Sequence, residues 1–333
     1  MSEQVQETPQ QRSALRLVST KGMSREDWLA VRKQGLGASE AAAAVGLNPY
    51  QSPLELWMIK TGRDQHLPQP DPDDDTKPIY WGNVLEPIVA ECYARRTGNK
   101  VRRVNAVLQH PDPDKHWMLA NLDYSVVASP DVQVLECKTA GRNGAKLWDD
   151  GVPDYVECQV QHQLAVTGKA AADVCVLICG QELRVHRIKR NEEVIAQLIQ
   201  LERHFWRYVE TDTPPPTDGS DSADRSLRGL YPTDSGETID FQDDEPLCDA
   251  FSRLLDVRAE LDRLRGHESR LKQQIQNGMG EASRAVFPNG EVRWQRSRDR
   301  QTLDVDRLAS ERPELVAQYP LTKPGSRRFI VRS

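Results

Sequence analysis

The segment Val132-Gln133-Val134-Leu135-Glu136-Cys137-Lys138 limits what this chain can fold into more than any other. Apolar and polar residues alternate along it, which is the period of a half-buried β-strand. On a strand, residues i and i+2 share a face. Glu136 and Lys138 therefore project together, and Cys137 points to the other side. A second acid, Asp123, stands on the neighbouring segment Ala120-Asn121-Leu122-Asp123-Tyr124-Ser125-Val126-Val127. Two carboxylates and an ammonium gathered at a strand end suit metal-assisted hydrolysis of a phosphodiester. Carboxylate oxygens hold a hard cation such as Mg²⁺. The cation polarises phosphate and lowers the pKa of a water, which a lysine can orient. An Asp and a Glu-x-Lys pair also occur in ordinary soluble proteins, so the surrounding blocks carry much of the weight.

Those blocks run in order along the chain. They are Trp28-Leu29-Ala30-Val31-Arg32, Gly35-Leu36-Gly37-Ala38-Ser39-Glu40, Gly46-Leu47-Asn48-Pro49-Tyr50 and Leu56-Trp57-Met58-Ile59-Lys60-Thr61-Gly62. Trp81-Gly82-Asn83-Val84-Leu85-Glu86-Pro87 follows, then the acid pair, then Gln159-Val160-Gln161-His162-Gln163-Leu164-Ala165-Val166-Thr167-Gly168. Together they resemble the YqaJ group of viral recombinases, phage nucleases related to lambda exonuclease within the PD-(D/E)XK superfamily. Two positions depart from the superfamily pattern: its Pro-Asp is Leu122-Asp123 here, and the Gly often found next is Tyr124.

The resemblance implies an α/β fold with a restriction-endonuclease-like core, a central mixed sheet flanked by helices. It implies Asp123 and Glu136 as metal ligands, joined by the Cys137 carbonyl, with Glu86 at or near the metal. Lys138 would act on the water or phosphate, and Gln159 would orient it. Mg²⁺ is the implied cofactor, with Mn²⁺ as a substitute. In lambda exonuclease-like enzymes an Arg and a Ser bind the terminal 5′-phosphate of DNA, a role that passes by motif to Arg32 and Ser39. The implied task is 5′-to-3′ resection of linear double-stranded DNA in phage-type recombination. The partners would be duplex DNA, a single-strand annealing protein and further copies of the chain, in the cytoplasm of a bacterial host. Two other readings stand beside this one: an endonuclease of restriction or repair type with the same chemistry, and a catalytically dead DNA-binding module. The intact acid, acid and lysine set speaks against the last.

Local signals add detail. Ser24 reads as the N-cap of a helix with Asp27 at the box position, so that Trp28 and Leu29 face the core and Arg32 emerges near the helix end. Ser39 reads as the N-cap of a second helix, Glu40 to Val45; a helix N-terminus with a hydroxyl and a nearby Arg suits an anion. Glu86 falls at the start of an amphipathic helix that ends at Gly98, and Glu91 points away from it. Gln159 and Gln163, at i and i+4, share a helix face, whereas Gln161 does not. Gln161 and His162 read as packing residues.

Charge and cysteine usage bound the rest. A formal net charge of -6 is unusual for a DNA-binding chain, but Arg95, Arg96, Lys100, Arg102 and Arg103 form a basic cluster able to line a DNA groove. The six cysteines include no CxxC pair, which weakens zinc and disulfide readings. No apolar run nears the roughly 18 residues of a membrane span, and the N-terminus lacks a signal-peptide core. The domain reading is a flexible tail over 1–20, the nuclease domain over 21–212, an acidic Pro/Gly/Ser-rich linker over 213–246, and a C-terminal domain over 247–333. In the linker, Leu227 to Pro232 reads as a short apolar clip. In the last part, Phe251, Leu254, Leu261, Leu264, Leu271 and Ile275 recur at helical steps up to Gly278 and Gly280. Val292–Gln295 and Arg328–Arg332 suggest a small β unit beyond.

Overall fold

Glu136 lies on the middle strand of a five-stranded mixed sheet. The computed structural model describes residues 13–69, 71–321, 325 and 327–331, in two units, Met1–Pro232 and Thr233–Ser333. The first unit begins with β1 (Leu15–Ser19), α1 (Arg25–Lys33), β2 (Leu36–Gly37), α2 (Ala41–Ala44), α3 (Pro53–Lys60) and the long α4 (Pro78–Thr97). Five strands follow: β3 (Lys100–Arg103), β4 (Ala106–Gln109), β5 (Met118–Asn121), β6 (Tyr124–Val127) and β7 (Val134–Ala140). Helix α5 (Asp154–Thr167) crosses from β7 to β8 (Ala171–Ile178), β9 (Glu182–Lys189) returns, and α6 (Glu192–Glu210) and α7 (Asp221–Leu230) close the unit.

The central sheet has the order β3-β6-β7-β8-β9. Its β7–β8 pair is parallel and the other pairs are antiparallel. A parallel pair needs a crossover, and α5 supplies it as a βαβ unit. A second sheet has the order β1-β4-β5-β2. The alternation read from the sequence of β7 is realised in its packing. Leu135 and the half-buried Cys137 join Val89 and Tyr93 of α4 and Tyr124 of β6. Val134, on the opposite face, joins Val160 and Leu164 of α5. Val160 and Leu164 are fully buried, each contributing about 1.5–3 kcal/mol. Helix α4 stops at Gly98, whose φ of 75° is readily adopted only without a Cβ.

Several local expectations change. Residues 15–19, expected within the flexible tail, form β1 and pair antiparallel with β4; residues 1–12 lie outside the described residues. Within the segment expected as a linker, α7 packs against α3. The Ser222 hydroxyl donates to Glu55 Oε2 at 2.7 Å and accepts the Ser52 N–H at 2.8 Å. Leu230 packs on the core, in line with an apolar clip.

In the second unit, α8 (Glu245–Met279) runs 35 residues, about 52 Å at 1.5 Å per residue. Asp244 caps it and Gly280, at φ 53°, ends it; Gly278 lies inside it. Phe251, Leu261, Leu264 and Leu271 are exposed along it. The β unit is a hairpin of β10 (Arg284–Phe287) and β11 (Gly290–Arg293). Residues 328–331 take no part in it and have no regular structure; Arg332 is outside the described residues.

Candidate active site

Asp123 sits in the turn between β5 and β6, and the backbone N–H of Cys137 donates to its Oδ2 at 2.8 Å. That bond ties Asp123 to the strand carrying Glu136. Tyr124 opens β6 opposite Leu135 and Arg103 with no positive φ, so the Gly of the superfamily pattern is not required here. Glu136 is 3% exposed and is held by three donors. Lys138 Nζ donates to its Oε1 at 2.7 Å and to Gln159 Oε1 at 2.9 Å. Gln159 Nε2 donates to the same Glu136 Oε1 at 2.7 Å. Gln163 Nε2 donates to Glu136 Oε2 at 2.7 Å and to the Asn121 carbonyl at 3.3 Å. Helix α5 thus presents Gln159 and Gln163, one turn apart, to a single carboxylate.

Glu86 joins from α4. It stands in the interior of a helix that begins at Pro78, not in a first turn. Glu91, one turn and more away, is exposed and pairs with Arg95. Glu86 Oε1 is buried without a hydrogen bond, and the Arg103 guanidinium lies 3.2 Å away. Glu86, Asp123, Glu136, Cys137, Lys138 and Gln159 line one cleft of 460 Å³, and Trp28, Arg32, Gly37 and Ser39 line the same cleft.

The electrostatics follow from this crowding. Burial, with Glu136 and Glu86 close by, pushes the Asp123 carboxyl well above the usual range, against the pull of Lys138 and the Cys137 N–H. Burial also raises the Glu86 carboxyl; Arg103 and Lys138 pull it back, and Glu136 adds to the rise. Burial opposes the Lys138 charge, yet Glu136 and Asp123 hold its pKa above the ordinary value. Among the described residues no three His, Cys, Asp or Glu side chains close around a single point as a finished cage. The donor set still fits a hard cation: oxygens of Asp123, Glu136 and the Cys137 carbonyl, in a buried cluster whose negative charge a cation would relieve.

Arg32 and Ser39 meet as the sequence suggested, by a different local structure. Residues Ala38–Glu40 form one 3-10 turn, followed by the short α2. Ser39 caps no helix; its Oγ accepts from Arg32 NH2 at 2.9 Å. Glu40 closes the turn by accepting the Gly37 N–H at 2.8 Å and pairs with Arg32 at 2.8 Å. Ser24 does cap α1, but α1 buries no residue. Trp28 stacks under the Arg32 guanidinium, 4.7 Å from its ring centroid, and Leu29 is exposed. Behind Arg32 lies Lys60, whose side chain is 1% exposed. Its ammonium donates to the carbonyls of Arg32 and Gly35 and to Glu40 Oε2 at 2.8, 2.7 and 2.6 Å. Despite burial, Arg32 and Lys60 hold the Glu40 carboxyl below its usual range.

Gln161 bonds the backbone of Lys189 and Asn191. His162 is fully buried between Glu202, 2.7 Å from Nδ1, and the Leu119 carbonyl, 3.0 Å from Nε2. Both are packing residues. The basic cluster is partly spent on structure: Arg96 donates to the Leu183 carbonyl, and Arg95 and Arg103 pair with Glu91 and Glu86. Sequence reasoning placed Gln163 on the right face but gave it no role. Glu40 and Lys60 stand in the matching blocks but received no role, because no spacing rule links them to each other or to Arg32.

Comparison with known proteins gives four matches. The YqaJ-like viral recombinase domain matches residues 27–170. The uncharacterized protein YqaJ of Bacillus subtilis (strain 168) is 32% identical over 283 residues, 84% of this chain and 85% of the relative. Among solved structures, an alkaline exonuclease (LHK-Exo) from Laribacter hongkongensis has 22% identity and a TM-score of 0.46, covering 56% of this chain and 93% of that one. A phage related exonuclease from Haemophilus somnus 129PT has 10% identity and a TM-score of 0.40, with 55% and 97% covered.

Proposed function

Since this chain belongs to the YqaJ-like viral recombinase family, we propose that it is a metal-dependent DNA nuclease, a 5′-to-3′ exonuclease on linear duplexes that serves recombination. The observation that carries this reading is the shared cleft. The acids, Lys138 and Gln159 line it together with Arg32 and Ser39, so one DNA end can meet a phosphate-binding rim and a hydrolytic centre at once. Asp123, Glu136 and the Cys137 carbonyl would hold the cation, with Glu86 beside them. A divalent cation bound there supplies charge neutralisation on the phosphate and a water of lowered pKa. Mg²⁺ fits the all-oxygen donor set, and Mn²⁺ can replace it.

The chain's own groups do the positioning. Gln163 and Gln159 fix both oxygens of Glu136. Lys138, charged at neutral pH, bridges Glu136 and Gln159, and from there can donate to a phosphate oxygen or hold the attacking water. Arg32, flattened on Trp28, offers its remaining donors to a terminal phosphate with Ser39 beside it.

The decisive test uses end-labelled linear duplex with and without a 5′-phosphate, and a covalently closed circle, each with Mg²⁺, Mn²⁺ or EDTA. Metal-dependent release from 5′ ends, faster with phosphate and absent on the circle, is expected. Cleavage of the circle would favour an endonuclease, and no cleavage of any substrate would refute a nuclease.

A further inference from the structure

The Gly46-Leu47-Asn48-Pro49-Tyr50 segment has no part in the chemistry above, yet it is built with care. Gly46 takes a φ of 75°, which turns the chain out of α2. The N–H groups of Leu47 and Asn48 both donate to the Ala42 carbonyl, at 2.8 and 3.1 Å. Asn48 Oδ1 then accepts the N–H groups of Tyr50 and Gln51, at 2.8 and 3.2 Å, and Ser52 caps α3 directly after. The backbone of Tyr50 is therefore fixed on both sides, while its side chain is 59% exposed. A large aromatic presented to solvent from a fixed backbone gains little for the fold.

Its ring neighbour among the described residues says where it points. Tyr50 stands edge-on to Tyr155, with centroids 6.0 Å apart and planes at 84°. Tyr155 lies in the first turn of α5 and packs on the core. It is four residues before Gln159, hence one turn along the same helix face, and Gln159 accepts from Lys138 at 2.9 Å. The Tyr155 phenol is raised by burial and then by Tyr50, and Lys138 acts on it in the opposite sense. An exposed aromatic face thus leads, through one half-buried ring, to the helix face that carries Gln159.

We propose that Tyr50 and Tyr155 form a base-stacking platform one helical turn from Gln159, and that it takes a nucleobase of the DNA strand whose phosphate enters the cleft. The proposal rests on the nucleic-acid reading given above. Every base has a π-face, so such a platform binds without sequence preference. Phenol edges and rings also serve this purpose at little entropic cost. The Asn48 turn fixes the backbone from which the ring projects.

The test is binding of fluorescent single strands in EDTA, so that no cleavage intervenes. One strand carries thymine bases; the other has the same length and charge but abasic sugars throughout. Tyr50→Ala should weaken binding of the base-bearing strand about 10-fold, leave the abasic strand unchanged, and be rescued by Tyr50→Phe. Because the Tyr50 side chain is largely exposed, the variant should melt as wild type does. An equal loss on both strands, or no loss on either, overturns the platform. The nuclease reading fails separately. Base-dependent binding without cleavage under any metal sinks hydrolysis and keeps the platform; cleavage with an indifferent Tyr50→Ala sinks the platform alone.

Discussion

Two isosteric substitutions at the paired acids should abolish cleavage alike and move stability in opposite directions. In Glu136→Gln, an amide replaces a carboxylate that accepts from Lys138, Gln159 and Gln163. The new NH2 must face one of those donors, and Lys138 loses its counter-charge. A hydrogen bond to a charged group contributes about 1.5–3 kcal/mol. The Lys138 side chain is 26% exposed, so water recovers part of that. The donor facing a donor adds about 1 kcal/mol or more. A net loss of about 2–4 kcal/mol follows, or roughly 4–15 °C in Tm for a domain of this size. Asp123→Asn has the reverse logic. Its Oδ1 can still accept the Cys137 N–H, while a charge disfavoured by burial and by Glu136 and Glu86 is removed. Metal-free stability should rise, on the order of 1 kcal/mol. Both variants should cut DNA more than about 100-fold slower, since even residues behind metal ligands cost 10–100-fold. Saturating Mg²⁺ or Mn²⁺ should stabilise the wild type by about 2.7 kcal/mol at 100 times Kd and so raise its Tm, and should do neither for the variants. Differential scanning calorimetry in EDTA and in metal, beside a nuclease assay, measures all of this. A destabilised Asp123→Asn, or a Glu136→Gln as stable as wild type, would refute the reasoning.

Arg32→Ala should erase a preference for 5′-phosphorylated over 5′-hydroxyl ends, a loss of about 10-fold or more, read as the ratio of cleavage rates on the two substrates; an unchanged ratio returns Arg32 to a structural role. Both nitrogens of His162 face acceptors, which fits a protonated ring; burial opposes its charge, but Glu202 raises its pKa above the ordinary value. Its stabilisation is therefore complete below about pH 6.5 and is lost as pH rises through the raised folded-state value; the stability margin of wild type over His162→Asn should shrink from acid to alkaline pH, and a flat margin counts against the pair. A chain ending at Pro232 should fold and keep nuclease activity on short duplexes, whereas one ending at Thr213 loses α7 with its Ser222 bonds and should be less stable by about 1–3 kcal/mol, and so melt earlier. Equal melting of the two chains would show that α7 contributes nothing.

The strand of Glu136 and Lys138 was readable because its alternation is a local property, and so was the helix face shared by Gln159 and Gln163. What those glutamines bond was not, because it depends on α5 crossing over β7. The helix of Glu86 was expected to start at that residue, but it begins earlier: Pro78 occupies the first turn, and Pro87 sits inside α4. Trp28 looked like a core residue by type; in the fold its ring serves a guanidinium. Lys60 shows the limit most clearly. Twenty residues separate it from Glu40, and no spacing rule connects a lysine in α3 to a 3-10 turn.

The crossover geometry of α5 also bears on the order in which the chain organises. Glu136 and Gln163 are only 27 positions apart, and Lys138 and Gln159 lie between them. Closing the β7–α5–β8 unit is a short-range event with modest loop entropy. The amide clamp on Glu136 is thus expected to assemble along with the β7–α5–β8 core, by the same collapse that buries Val160 and Leu164. Asp123 arrives through the separate pairing of β6 with β7, and Glu86 through the docking of α4. The glutamate is oriented by its own supersecondary unit, and the remaining acids are delivered to it.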